Sequence, residues 1–301
     1  MLSSRIRQHT MTSLAATTLA ALAGVGGLAA CASSSSGGTT TPATASAVGT
    51  NPCAKDALAV RTPGKLTIAT DKPAYTPWFV DDKPSNGKGF ESAVAYAVAN
   101  KLGFTPAEVA WTVASFNSVI APGPKNFDFD INEVSITDER KQAVDFSSGY
   151  YDVTQAVVTV KGSKIENAKS IADLKDAKLG AQVGTTSYDT IKNVIKPTQQ
   201  PSVFNTNDDA KLALTNGQID GLVLDLPTAL FEANADLKNG VLVGQFANQG
   251  GTPEQFGLVL DKGSKLTACV SQAVDALRAD GTLKQLEQQW LTSTAGAPVL
   301  S

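Results

Sequence analysis

The chemistry in this chain gathers around one arginine. In FDFDINEVSITDER, Phe127 to Arg140, the apolar Phe127, Phe129 and Ile131 alternate with Asp128, Asp130 and Asn132 as they would along a strand. The alternation stops at Ser135-Ile136-Thr137, and Arg140 stands three residues further on. Ligands in α/β proteins sit beyond the carboxyl ends of strands. A guanidinium there is a candidate anion anchor, because its planar fork takes a carboxylate through two parallel hydrogen bonds. The plainer reading is an exposed helix charge beside Asp138 and Glu139.

Much other chemistry is excluded. Arg5 and Arg7 precede an uncharged stretch, Met11 to Ala30, that is rich in Ala, Leu and Thr and too small-residued for a good membrane span. This reads as a secretory signal over residues 1–30. It ends Leu28-Ala29-Ala30-Cys31, which resembles the lipobox of bacterial lipoproteins and makes Cys31 the expected lipidation site. Residues 31–52, beginning CASSSSGGTTTPATASAVGTN, lack large apolar side chains and read as a flexible tether. The leader takes with it His9 and Met1 and Met11, the chain's one histidine and two methionines. Two of the 25 basic residues leave as well, so 23 face 28 acidic ones and the net charge moves from −3 to −5. Histidine-based triads, His/Cys zinc sites and a basic nucleic-acid footprint are therefore not expected. No cofactor or metal is implied.

Two cysteines remain. In an oxidising compartment Cys53 and Cys269 read as a disulfide. The alternative is a buried free thiol, since Cys269 lies on the apolar stripe Leu266, Val270, Ala273, Leu277 of an expected helix.

The elements that must position Arg140 alternate between strand and helix. Strands are expected at 65–70, 108–114, 154–162, 178–182 and 221–225, and in GVLVGQF and QFGLVLDKG. Helices are expected at 89–103, from a capped start at Ser170, after Gly184, and as a closing pair split at Gly281. Such alternation argues an α/β fold with mainly parallel sheet.

Five segments, GFESAVAYAVA, SITDERKQAVDFSSGYY, SIADLK with LGAQVGTTS, NGQIDGLVLD and LRADGTLKQLEQQW, occur in register over roughly residues 60–292. Together they resemble the polar-amino-acid solute-binding family (family 3), the lipoproteins that serve bacterial ABC importers. The resemblance implies an α/β, two-lobed periplasmic-binding-protein-like fold (type II) joined by two crossover strands, near 152–155 and 243–246. Lobe one would be 53–154 with 245–292, lobe two 155–244, and 293–301 a C-terminal tail. It implies a monomeric binding protein rather than an enzyme. Its partners would be a free amino acid, a membrane permease and, through Cys31, the extracytoplasmic face of the cell membrane; nucleic acid is not among them.

A free amino acid presents a carboxylate and an ammonium on one carbon. Arg140 and Ser135 would meet the carboxylate, with Gly184, Thr185 and Thr186 at a helix start adding N–H groups. Asp225, ending the run GLVLD, would accept from the ammonium. The plainer readings are a simple cap for Gly184–Ser187 and a cap of the next helix for Asp225. Tyr75, Trp78 and Phe116 align with the family's ring walls, or are core. Asp71, Glu133 and Gln182 complete the set that could meet a ligand side chain. None is basic, so glutamate and aspartate are disfavoured unless Lys72, Lys88 or Lys125 folds inward, and arginine, lysine or glutamine is favoured. Two alternatives share the resemblance: a cleft enzyme of dehydratase or lyase type, with Glu133 or Glu91 as its acid, and a ligand sensor.

Overall fold

A computed structural model describes residues 51–247, 253–291, 294 and 296–301. The leader, Cys31 and the tether as far as residue 50 lie outside the described residues. The strands, in chain order, are β1 (Leu66–Thr70), β2 (Val109–Val113), β3 (Phe129–Asp130), β4 (Asp145–Val153), β5 (Gln155–Val160), β6 (Leu179–Gln182), β7 (Ser202–Phe204), β8 (Gly221–Asp225), β9 (Gly240–Phe246), β10 (Glu254–Leu260) and β11 (Val299–Leu300). They form two sheets, ordered β2-β1-β3-β10-β4 and β11-β9-β5-β8-β6-β7.

On the first sheet, helix Phe90–Lys101 buries Phe90, Val94 and Val98, spaced for one helical face. These residues share a core with Leu66, Ile68, Phe256 and the closing helices Thr267–Ala279 and Thr282–Trp290. Cys53 and Cys269 are bonded, with their Cα atoms 5.3 Å apart, so the free-thiol alternative is set aside. With a sequence separation of 216 residues, loop-closure entropy gives an upper figure of about 5 kcal/mol for the bridge. On the second sheet, one face packs Val157, Leu179, Ala181 and Val223 against Ile191 and Ile195. The other packs Val158, Leu222 and Leu224 against Ala210, Ala213 and Leu214 of helix Asn207–Thr215.

Three expectations are corrected. The sheets are mixed rather than mainly parallel: β10 runs antiparallel to β3 and β4, and β5 to β8 and β9. The reason is topological. The chain leaves the first sheet along β4 and enters the second directly along β5, then returns from β9 to β10, so the crossing strands oppose their neighbours. Thr154 links these connections by donating to Gln245 Oε1 at 2.8 Å. The helix expected from Ser170 is a single 3₁₀ turn, Ala172–Leu174. Asp173 takes the N–H groups of Lys169 and Ser170, which closes the turn tightly before β6 begins. Lastly, the C-terminal segment read as a tail supplies β11, paired parallel with Gln245 and Phe246 of β9. No helix among the described residues is long and apolar enough to cross a membrane.

Candidate functional site

The ends of β1, β3, β6 and β8 converge on one narrow cavity of about 40 Å3. It is lined by Asp71, Tyr75, Phe116, Asn132, Glu133, Ser135, Arg140, Gln182, Thr185, Thr186, Asn207 and Asp225. Wider cavities flank it, one of about 330 Å3 beside Asp189 and Glu254 and one of about 640 Å3 beside Thr137 and Glu139. The narrow one alone gathers Arg140, Asp225 and the aromatic rings.

Arg140 opens the short helix Arg140–Ala143, where its N–H is capped by Thr137 Oγ1 at 3.1 Å. It is 8 % exposed. Nη1 donates to the carbonyl of Ser135 at 2.7 Å and Nη2 to the carbonyl of Gly184 at 2.8 Å. The guanidinium also lies over the Phe116 ring, 5.4 Å from its centre. The first carbonyl belongs to the first-sheet half of the molecule and the second to the other, so this one side chain spans the cleft. Among the described residues no carboxylate lies within ion-pair distance of it. Burial pushes the guanidinium pKa down, while Glu254 and Asp225 nearby oppose that.

The second-sheet face brings hydroxyls and one carboxyl. Thr186 Oγ1 is 3.4 Å from Ser135 Oγ across the cleft. Thr185 caps the helix that starts at Thr186, accepting from the Tyr188 N–H at 3.2 Å, so the capping reading holds for its side chain. Gly184 does not line the cavity; it contributes the carbonyl that Arg140 holds. Asp225 sits at an N-cap position without making the cap bond, and accepts from Gln155 Nε2 at 2.6 Å instead. Burial, then the nearby Glu254, holds its carboxyl well above the usual carboxylate range. Gln182 lines the cavity from the end of β6.

The first-sheet face is acidic. Asp71 accepts the Phe116 N–H at 3.1 Å and thereby fixes that ring at the cavity wall. Tyr75 lies against Asp208 of the opposite half, and burial first, then Asp208, raises its phenol pKa. Glu133 adopts a left-handed backbone, φ 53°, at a cost of roughly 1–2 kcal/mol. Its N–H bonds to Glu91 Oε1 at 2.7 Å, and its Oε2 accepts from Thr228 Oγ1 at 3.1 Å.

Trp78 is corrected. It is fully buried, in edge contact with Phe90, Tyr151 and Phe256, and does not line the cavity. A ring this large satisfies more surface in the core, and its indole N–H finds Thr228 Oγ1 at 2.8 Å. Glu91 is likewise wholly buried behind Glu133, bonded by the Tyr150 hydroxyl. It cannot reach the cavity as an acid. No lysine lines the cavity. Lys72 pairs with Asp82 at 3.2 Å, and the Lys125 ammonium is spent on the carbonyls of Ser118 and Ala121.

Sequence reasoning missed Asn132 and Asn207 in the lining, and Gln155, Thr228 and Glu254 around it. Asn132 adjoins Glu133 in the stretch first singled out. Asn207 follows a Thr206 cap that marks a helix start. Gln155 and Glu254 sit on crossing strands and carry no local signal.

A family model described as bacterial extracellular solute-binding proteins, family 3, matches residues 66–293. The chain belongs to this family. The solute-binding chain is 30 % identical over 213 residues to the ABC transporter arginine-binding protein 1 of Escherichia coli, covering 67 % of this chain and 81 % of that one. It is 27 % identical over 249 residues to the L-arginine-binding protein of Pseudomonas aeruginosa, covering 78 % and 94 %. Among solved structures, an ancestral arginine-binding protein bound to arginine matches at a TM-score of 0.60 and 31 % identity, over 75 % of this chain and 98 % of that one. An ancestral amino-acid-binding protein described as a precursor of cyclohexadienyl dehydratase matches at 0.62 and 30 %, over 76 % and 96 %. The two-sheet solute-binding fold thus has the type II periplasmic-binding-protein architecture.

Proposed function

We propose that this protein captures a free amino acid with a cationic or amide side chain between its two lobes and presents it to an ABC transporter permease, tethered to the membrane through a lipid on Cys31. The observation that carries the reading is Arg140. A buried cation ordinarily has an anionic partner. This one has two carbonyls, one from each half, and N–H donors left over on Nη1, Nη2 and Nε. A ligand carboxylate received there touches both halves at once, which favours their approach. Asp225 takes the ammonium, and Ser135, Thr185, Thr186 and the ring of Phe116 frame the carbon between them.

The side-chain preference rests on charge. Asp71, Glu133, Gln182, Asn132 and Asn207 line the cavity without a lysine among them. A second carboxylate on the ligand would be buried without a partner. Relatives named as arginine-, glutamine- and histidine-binding agree with that direction. An enzymatic role has less support, because the groups that would clamp an amino acid line one cavity together; of the two acids an enzyme could use, Glu91 is buried away from that cavity and Glu133 lines it.

A thermal-shift panel of the common amino acids tests this. Ligand at a hundred times its dissociation constant adds about 2.7 kcal/mol, which for a domain of this size raises the melting temperature by roughly 5–10 °C. Arginine, lysine or glutamine gives the largest rise. A larger rise with glutamate or aspartate overturns the charge argument, and no rise with any amino acid overturns the substrate class.

A further inference from the structure

The cleft floor holds more carboxyl groups than it can ionise together. Glu133 faces Glu91 from helix Phe90–Lys101 and Asp71 and Tyr75 from the segment after β1, while Asp130 of β3 lies beside Glu91 and Asp71. Tyr150 stands behind it on β4, and Asp225 and Thr228 approach from the start of helix Leu226–Phe231. Glu254 lies beside Asp225. Against these acids stand Arg140 and, further off, Lys125, whose ammonium is tied to two carbonyls.

Burial is extreme here. Glu91 and Asp130 are 0 % exposed. One oxygen of Glu91 and both of Asp130 lack a hydrogen-bond partner. Asn132, 9 % exposed and lining the cavity, has an amide nitrogen Nδ2 with no partner either. An unpartnered buried carboxyl is far cheaper neutral than charged. Burial first, then Glu91 and Asp225, holds Glu133 well above the usual carboxylate range.

Glu133 and Asp225 are the two of these raised acids that line the cavity, and their surroundings differ. Asp225 has the Gln155 amide at 2.6 Å and the pull of Arg140, both of which favour its anion. Glu133 has a single hydroxyl. Thr228 Oγ1 accepts from the Trp78 indole, so its own proton points at Glu133 Oε2, and Oε1 takes no hydrogen bond from a described residue.

Building on the amino-acid-binding reading, we propose that Glu133 enters the binding reaction as a neutral acid and gives up its proton when a cationic group of the ligand is seated against it. The exchange is simple. The O–H bond of Glu133 breaks, the proton passes to buffer, and the carboxylate pairs with the ligand cation. Glu133 then adds no uncompensated anion to the cavity before binding, and the ligand brings no unpaired cation into it afterwards. The left-handed backbone at residue 133 fits this role, since the strain holds a long acid where the turn into Val134 and Ser135 brings it against the cavity.

Two consequences are measurable. Arginine binding releases a proton, and arginine affinity rises with pH, by up to tenfold per unit while Glu133 is protonated in the free protein. Calorimetric titration of arginine in buffers of differing ionisation enthalpy, from pH 5 to 8, reads the released proton. Glu133→Gln keeps the shape, binds arginine at least tenfold more weakly, and loses both the release and the pH slope. Difference infrared spectra of the wild-type protein, which need no variant, lose a protonated-carboxyl stretch when arginine is added. Arginine binding without proton exchange anywhere in this range, release that survives in Glu133→Gln, or a difference spectrum in which no carboxyl stretch is lost overturns the proposal while leaving the amino-acid reading intact. A protein that binds no amino acid overturns that reading and this proposal with it.

Discussion

The two faces of the cleft are built on opposite electrostatic principles. The second-sheet face is a satisfied surface. Its acid Asp225 has the Gln155 amide, the Gln155 carbonyl oxygen has the Ser187 hydroxyl at 2.6 Å, and apolar cores back both sides of the sheet. The first-sheet face is unsatisfied. Glu91, Asp130, Asn132 and Thr70 are buried with polar atoms left unpaired, and Arg140 has carbonyls where a buried cation would ordinarily have an anion. Such groups are costly in a folding sense. On the proposed function, their concentration makes this face the first to receive the ligand, with the other face contributing Asp225 and the threonines as it closes.

Breaking the recognising face at its cation has the largest expected effect. Arg140→Ala weakens arginine binding by about 2–5 kcal/mol, roughly 30- to 5,000-fold. Arg140→Lys restores the charge without the fork and recovers little of it. Calorimetry measures both, and near-native affinity for Arg140→Ala removes the anchor from the account.

The same face sets a pH dependence of stability. Burial raises the Glu91 pKa to about 7, against the opposing pull of the Tyr150 hydroxyl and the Glu133 N–H. The folded protein therefore holds this proton more tightly than the unfolded chain. The stability it confers is present in full at low pH and is lost as pH rises from the unfolded value, about 4.5, to about 7. The loss is on the order of 3 kcal/mol. Glu91→Gln keeps the acceptor for Tyr150 and Glu133 and removes this share of the slope. Urea unfolding across that pH range reads the difference, and an unaltered slope would assign the pH dependence elsewhere.

The sequence foreshadows the recognising residues better than the recognising environment. Arg140, Ser135 and Asp225 announce themselves because they stand at strand ends beside small or polar residues, and the structure brings all three to one cavity. Trp78, an aromatic residue in the loop after β1, turns inward, since nothing local separates a ring that faces a ligand from one that fills a core. Glu133 is legible as an acid near a strand end. Its left-handed backbone and its burial against Glu91 depend on a helix 42 residues away in sequence. Gln155 and Glu254 are set by the chain's two crossings between sheets, and the periodicity of a single strand carries no trace of a partner across the cleft. The alternation of strands and helices conveyed the fold class. It overstated the parallel pairing because the crossing strands have the same composition as the rest.

The central claim is that one ligand bridges both faces. Small-angle scattering of the protein with and without saturating arginine tests it most directly, with binding confirmed in the same sample by calorimetry. The account predicts a smaller radius of gyration with arginine, as Arg140 and Asp225 are drawn onto one molecule from opposite sides. An unchanged scattering profile in a sample that has bound arginine would contradict it.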